Sequence, residues 1–186
     1  MRELLFVVDA VLALIVGVFL LRVMLQVARA DFRNPLVQAI ARLTNPVILP
    51  LRRVLPPIGR LDTASLVAVL VAQVVRTGAV YALSGAGVPG VPLLLLAAAI
   101  QLIDIALMVY WFAILVYVLL SWVSTDGYSP LGRVLHDLCE PVLAPFRRAI
   151  PTLGGLDISP AIVLIVIALL RMILNDRIAP ALIGRL

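Results

Sequence analysis

The chain has no lysine, a single cysteine (Cys139) and a single histidine (His136), and only 13% of its residues are charged. One cysteine excludes a disulfide within the chain. His136 and Cys139 lie three residues apart, on one face of an expected helix. Two ligands do not make a closed metal site, so the expected reading is a surface histidine and a small buried thiol. No glycine-rich phosphate loop and no serine-nucleophile elbow is present, and a triad built on His136 would lack a positioned partner. The expectation is therefore a protein that is not an enzyme, with no cofactor and no metal. The scarcity of charge is matched by 63% hydrophobic residues and a mean hydropathy of +1.16. These values exclude a soluble domain, a disordered chain and a disulfide scaffold.

Four apolar runs fill most of the 186 residues: Leu4 to Ala28, Ala64 to Leu83, about Ala99 to Val123, and Ser159 to about Ile178. Each suffices for about 30 Å of hydrocarbon at about 1.5 Å per residue. Backbone groups in lipid must pair internally, so the runs are predicted to be helices. The first is too long for the core of a signal peptide, although Ala28-Arg29-Ala30 looks like a cleavage site. The third extends back to Leu93 and is then longer than a bilayer needs.

Shifted by 95 positions, the sequence aligns with itself without a gap. Pro35 to Asp62 reads PLVQAIARLTNPVILPLRRVLPPIGRLD, and Pro130 to Asp157 reads PLGRVLHDLCEPVLAPFRRAIPTLGGLD. Twelve of these 28 positions are identical, including four prolines, an Arg-Arg pair and the closing aspartate. Asp9 matches Asp104, Asp31 matches Asp126, and Arg76 matches Arg171. Duplication is the strongest signal in the chain. The expected organisation is a first repeat over 1–83, a Gly/Pro turn over 84–92 and a second repeat over 93–186. An even number of spans per copy predicts copies of like orientation, related by a pseudo-twofold axis along the membrane normal.

All fifteen basic residues are arginine, giving a formal charge of +5. They are scattered around apolar runs, which predicts contact with anionic headgroups rather than nucleic acid. Nine lie in the Pro/Arg connectors and three at the termini, so the connectors are predicted to be cytoplasmic. Leu36, Ile40, Leu43 and Val47 recur at helical spacing, as do Leu131, Leu135, Leu138 and Val142. This predicts a short amphipathic helix on the membrane surface, then a second short one broken near Pro50 and Pro145. Asn34-Pro35, Asn45-Pro46 and Glu140-Pro141 read as helix starts. Arg52, Arg53, Arg147 and Arg148 are candidates for headgroup or partner contact, or simply anchors of the adjacent span. Asp62 and Asp157 fall where the next span starts and would meet its exposed N–H groups. Ser159-Pro160 is a second capping signal, with Ala64-Ser65 in its place in the first copy. Trp122 and Tyr128 suit the aromatic belt at the interface.

Four charges fall within the spans. Asp9 is about 8 Å and Arg76 about 10 Å from the same membrane face by helix rise. Pairs Asp9–Arg76 and Asp104–Arg171 are expected, with cross-copy pairs such as Asp9–Arg171 left open, because an isolated charge in lipid is costly. Laid antiparallel, Ala13 would meet Ala72 and Gly17 would meet Ala68. The pairs fix helix register in one reading and line an ion path, with Gln26, Gln73 and Gln101, in the other. Arg22, near the inner end of span one, is expected to snorkel to the interface.

The duplicated run of prolines, Arg pair and closing Gly-x-Leu-Asp between two spans resembles the YggT family of bacterial integral membrane proteins. Arg60 departs from the Gly154-Gly155 of the second copy. The resemblance implies a cytoplasmic (inner) membrane location and no catalytic residues. It also implies links to cofactor assembly on cytochrome b in plastids, to division or nucleoid organisation, and to osmotic or salt stress. The resulting expectation is an all-α protein with four transmembrane helices in two tandem repeats. It would act as an assembly or scaffold factor on a membrane protein partner, or as a homo-oligomer. The competing class is an ion or osmolyte transporter.

Overall fold

A computed structural model describes residues 2–58, 62–85, 87–123, 129–150 and 157–183, excluding the side chains of 122, 123, 182 and 183. Arg60, Asp126, Tyr128, Gly154, Gly155, Arg185 and the Trp122 side chain lie outside the described residues. Helices α1 (Arg2–Val27), α2 (Pro35–Val54) and α3 (Thr63–Ser84) belong to the first copy. Helices α4 (Val91–Val123), α5 (Pro130–Ala149) and α6 (Ser159–Ile173) belong to the second. A π-helical turn (Leu174–Ile178) and α7 (Ala179–Ile183) prolong α6. Among the described residues there is no strand.

Among the described residues three helices are long and apolar enough to cross a membrane: Arg2–Val27, Thr63–Ser84 and Val91–Ser121. Their apolar side chains face outward as well as inward. Phe6 is 72% exposed and Leu14 71%, which water would not tolerate over so large a contiguous surface. The α6 segment behaves alike, with Ile165, Leu169 and Met172 exposed. Its α-helix proper is 15 residues, and the helical path continues without interruption through the π turn to Ile183. Helix α4 starts at Val91, eight residues before the run expected from about Ala99. Gly85, at φ 78°, terminates α3 in the left-handed conformation that glycine adopts without steric cost.

The connectors differ from expectation at their prolines. Each is one 20-residue helix, with Pro46 and Pro50 inside α2 and Pro141 and Pro145 inside α5. Asn45-Pro46 and Glu140-Pro141 therefore do not start helices. All four prolines are exposed, so the carbonyls that lose an N–H partner lie on the outward face and can be solvated there. The true starts are Asn34, whose side chain accepts from the Leu36 N–H at 2.9 Å, and Ser129, which accepts from the Gly132 N–H at 3.0 Å. A second strip of α2, one position over from the Leu36, Leu43 and Val47 strip expected to meet the membrane surface, faces the protein: Val37, Thr44 and Ile48 are buried. Leu43 is left 70% exposed and Val47 47%. In α5 the inward strip is Val134, Leu135, Leu138, Cys139 and Leu143, with Leu131 exposed.

Within each copy the packing is the same. Helix α1 runs against α3 and α2, and α4 against α6 and α5. Between copies it is not. Helix α3 packs on α4, whereas α6 makes no close approach to α1 among the described residues. A strict twofold would require both contacts. One core unites the halves, with Val16, Leu20, Ile48, Ile114, Leu138 and Val163 buried in it.

Helix α1 ends in a Schellman turn. The Ala30 N–H donates to Leu25 O at 2.9 Å and the Arg29 N–H to Gln26 O at 3.1 Å. Arg29 holds φ 58°, a conformation costing a side-chain-bearing residue about 1–2 kcal/mol. Arg29→Gly relieves that cost, against the greater freedom of glycine when unfolded. The variant is expected to gain up to about 1 kcal/mol, read as a higher thermal midpoint in detergent; a lower midpoint would contradict the assignment.

Candidate functional site

The end of the bundle carrying the Gly85 turn holds two ion pairs. Arg76 Nε donates to Asp9 Oδ1 at 2.8 Å and Nη2 to Oδ2 at 3.2 Å. Arg171 contacts Asp104 in the same way, at 2.8 and 3.0 Å. Both are two-pronged contacts within one copy, the geometry in which a guanidinium binds a carboxylate best. Helix rise explains the match: antiparallel neighbours bring residues at equal depth together. Asn175, in the π turn, donates to Asp104 Oδ1 at 3.0 Å and has no counterpart in the first copy. The ridge of small residues on α1 does not pack as expected. A methyl group at Gly17 would meet no atom within 4 Å, so no close approach to Ala68 occurs there.

Ala13 and Gly17 instead line a cavity of about 770 Å³ between the copies. Asp9, Arg76, Gln101, Asp104 and Asn175 supply its polar lining. Gln101 Oε1 accepts from Gln73 Nε2 at 2.8 Å and from the Thr77 hydroxyl at 3.1 Å. This is the polar contact across the α3–α4 seam. Gln26, placed with these glutamines in the pathway reading, lies elsewhere and donates to Asp62 at 3.2 Å.

At the other end, a carboxylate ties the span to the connector helix. Arg52 Nη2 meets Asp62 Oδ2 at 2.6 Å, and the same carboxylate accepts from Ser65 and Gln26, joining α1, α2 and α3. Burial opposes ionisation of Asp62, but the bonds from Arg52, Ser65 and Gln26 outweigh it and hold the pKa at about 2. In the second copy Arg147 bridges Asp157, at 2.8 Å, and Glu140. Burial again opposes ionisation of Asp157, and its bonds to Ser159 and Arg147 lower the pKa. Asp157 meets a helix-start N–H, that of Ser159, at 2.9 Å. Asp62 makes no such bond to α3, and Ser159 lies inside α6 rather than capping it. The first arginine of each pair thus faces the protein. Arg53 and Arg148 are exposed and make no ion pair among the described residues.

Arg22 does not snorkel. It is 4% exposed, and its Nη1 donates to Thr44 Oγ1, to Asn45 Oδ1 at 2.9 Å and to Ala41 O at 3.3 Å. All its acceptors are neutral, and its Nε has no partner. The second-copy equivalent is Tyr117, whose hydroxyl lies 3.3 Å from His136 Nδ1. Position 22 and its partners at 41, 44 and 45 correspond to Tyr117, His136, Cys139 and Glu140. Read at one position alone, Arg22 resembles an anchor; only the adjacent Thr44 and Asn45 of α2 hint at a buried partner. Cys139 is fully buried, which pushes its thiol up to about 12, and His136 is exposed. No metal-ligating cluster occurs among the described residues.

Two outcomes are expected. In a double-mutant cycle of Asp104→Asn and Arg171→Gln, the coupling between the changes is about 0.5–2 kcal/mol, measured by unfolding in detergent; additive losses would mean the pair contributes nothing. Asp62 gives a pH dependence. Its folded pKa lies below the ordinary 3.8, so its contribution is present above about pH 4 and is lost as pH falls toward 2. Asp62→Asn removes that part of the acid limb, and a limb unchanged by the substitution would exclude the clasp.

A family model described as CCB3/YggT matches residues 1–83 and again 96–178. The uncharacterized protein PA0392 of Pseudomonas aeruginosa is 40% identical over 163 residues, covering 87% of this chain and 83% of the relative. The uncharacterized protein YggT of Escherichia coli is 36% identical over 173 residues, covering 92% and 89%. A Vibrio alginolyticus protein from the proC 3′ region is 36% identical over 181 residues, covering 97% of each. No solved structure matches the chain. The two matched segments are offset by 95 positions, the offset of the internal repeat, and the chain belongs to the CCB3/YggT family, carrying the family pattern twice.

Proposed function

We propose that the chain is a four-span protein of the bacterial cytoplasmic membrane, built of two like-oriented tandem repeats. In this reading it works without catalysis, as an assembly or scaffold factor that holds a membrane partner. The fourth span is the α6 segment, whose outward side chains are as apolar as those of the other three. The connectors face the cytoplasm, where arginine is favoured.

The observation that carries the scaffold reading is the unused apolar strip of the connector helices. Leu36, Leu43 and Val47 of α2 stand exposed, and Leu36 and Leu43, with Leu131 of α5, line a groove of about 540 Å³. The inward strip already serves the core, so this second strip is available to acyl chains and to a partner helix. Arg53 and Arg148 add attraction to anionic headgroups. A photo-crosslinking residue at Leu43 is expected to give one discrete adduct with a membrane protein in intact membranes. The same probe at Val11, exposed on α1 and not lining the cavity between the copies, should give none. Adducts equally diverse at both positions would contradict the reading.

A second reading, ion or osmolyte transport, is favoured by the polar cavity that holds Asp9, Arg76 and Asp104. Flux in proteoliposomes of the purified chain, abolished by Asp9→Asn with the fold retained, would decide for transport. The scaffold reading expects no flux.

A further inference from the structure

The two connectors carry opposite charge. Arg29 to Asp62 holds six arginines against two aspartates. The equivalent stretch, Ser124 to Asp157, holds three arginines against four carboxylates. Part of the difference falls on one ridge of the connector helix. Arg42 and Arg53 are separated by close to three full turns of α2 and so point the same way. Both are exposed, as are Arg29 and Arg33 just before the helix, and none of the four makes an ion pair among the described residues. Asp31 is the one carboxylate between Arg29 and Val54, and its Oδ1 accepts the Arg33 backbone N–H at 2.9 Å. Asp62 is taken by Arg52. On α5 the position of Arg42 is held by Asp137, with Glu140 three residues on. Repeat positions 29 and 33 are Ser124 and Tyr128 in the second copy.

The ridge of α2 also has an apolar flank. Leu43 follows Arg42 by one residue, about 100° around the helix. With Leu36, Val47 and Val54 it stands exposed. Among the described residues of α5, Leu131 is the one large hydrophobic side chain that is exposed. Unpaired arginines at a right angle to an apolar flank fit a helix lying in a membrane interface, its cations at headgroup level and its flank toward acyl chains. A free anion or an acidic soluble peptide would use the ridge and leave the flank in water. We propose that the arginine ridge of α2 selects anionic phospholipid, of the phosphatidylglycerol class, and that α5, with Asp137 on the same ridge, adds little selectivity. Headgroup phosphates sit against Arg42 and Arg53, where each phosphate meets a cation with no carboxylate of its own. The site rests on the membrane reading of the chain and is independent of the assembly role.

The test is lipid retention by the full chain, purified in mild detergent and given equal amounts of phosphatidylglycerol and phosphatidylethanolamine, with bound lipid counted by mass spectrometry. The wild-type protein is expected to enrich phosphatidylglycerol. Arg42→Gln is expected to lower the enrichment about fivefold at an unchanged thermal midpoint, and Arg53→Gln likewise. Arg133→Gln removes the same charge from α5 and should leave the enrichment as it is. Asp137→Arg builds the α2 ridge on α5 and is expected to raise it about fivefold. No enrichment in the wild type would overturn the proposal. An Arg133→Gln loss equal to that of Arg42→Gln would do the same, since net charge alone would then select the lipid. Inorganic phosphate displacing the lipid beyond the effect of chloride at equal ionic strength would assign the ridge to a soluble anion and also overturn it. If Arg42→Gln does not fold, Arg53→Gln and Asp137→Arg decide. The adduct at Leu43 reads the flank and a protein partner, so the two proposals can fail separately.

Discussion

Helices that are apolar all round can slide and rotate against one another in lipid at little cost, because hydrocarbon packs equally well on every face. A directional contact between charges removes that freedom. In each copy the Asp–Arg pair at the Gly85 end does this, with the same atoms at the same 2.8 Å contact in both. The pair also resolves its own cost. Either charge alone in the membrane is unfavourable by at least about 2.5–3.5 kcal/mol, so insertion of the hairpin and formation of the pair are coupled. The opposite end is secured differently, by a carboxylate that draws an arginine of the connector helix onto the start of the next span. Each hairpin is thus held at both ends, and the connector helix lies where the second clasp places it.

Duplication kept these clasps and changed what lies between them. Arg22 with Thr44 and Asn45 corresponds to Tyr117 with Cys139 and Glu140, so a buried guanidinium bonded to neutral oxygens has a neutral phenol as its equivalent. The halves then meet asymmetrically. Gln73, Thr77 and Gln101 close one side of the seam, while α6 leaves the other unfilled. Within-copy contacts carry the fold. Divergence between copies makes the cavity, since two identical halves on a twofold would have sealed both sides or neither.

The sequence discloses these features to different degrees, for physical reasons. Spans, connectors and the pairing of charges at equal depth follow from helix rise and the intolerance of lipid for lone charges, and Asp9, Arg76, Asp104 and Arg171 could be named from those alone. Pro46, Pro50, Pro141 and Pro145 do not end their helices: all four lie on the exposed face, where the loss of a backbone bond costs least. The inward face of α2, Val37, Thr44 and Ile48, was not legible, because Leu36, Leu43 and Val47 beside it are as apolar; lipid contact erases the contrast that marks a core in water. Arg22 read as an anchor because depth, not neighbours, is what a span reveals, and its acceptors come from a different helix. The cavity depends on how two copies dock, which no periodicity within one copy encodes.

The carboxylate–guanidinium contact is the register lock of each hairpin. Charge exchange tests it most directly. Asp9→Arg alone and Arg76→Asp alone place two like charges at one depth and are expected to abolish stable accumulation in the membrane. The combined Asp9→Arg, Arg76→Asp chain restores an opposite pair and is expected to accumulate and melt close to the wild type. A combined chain no better than either single reversal would contradict the lock.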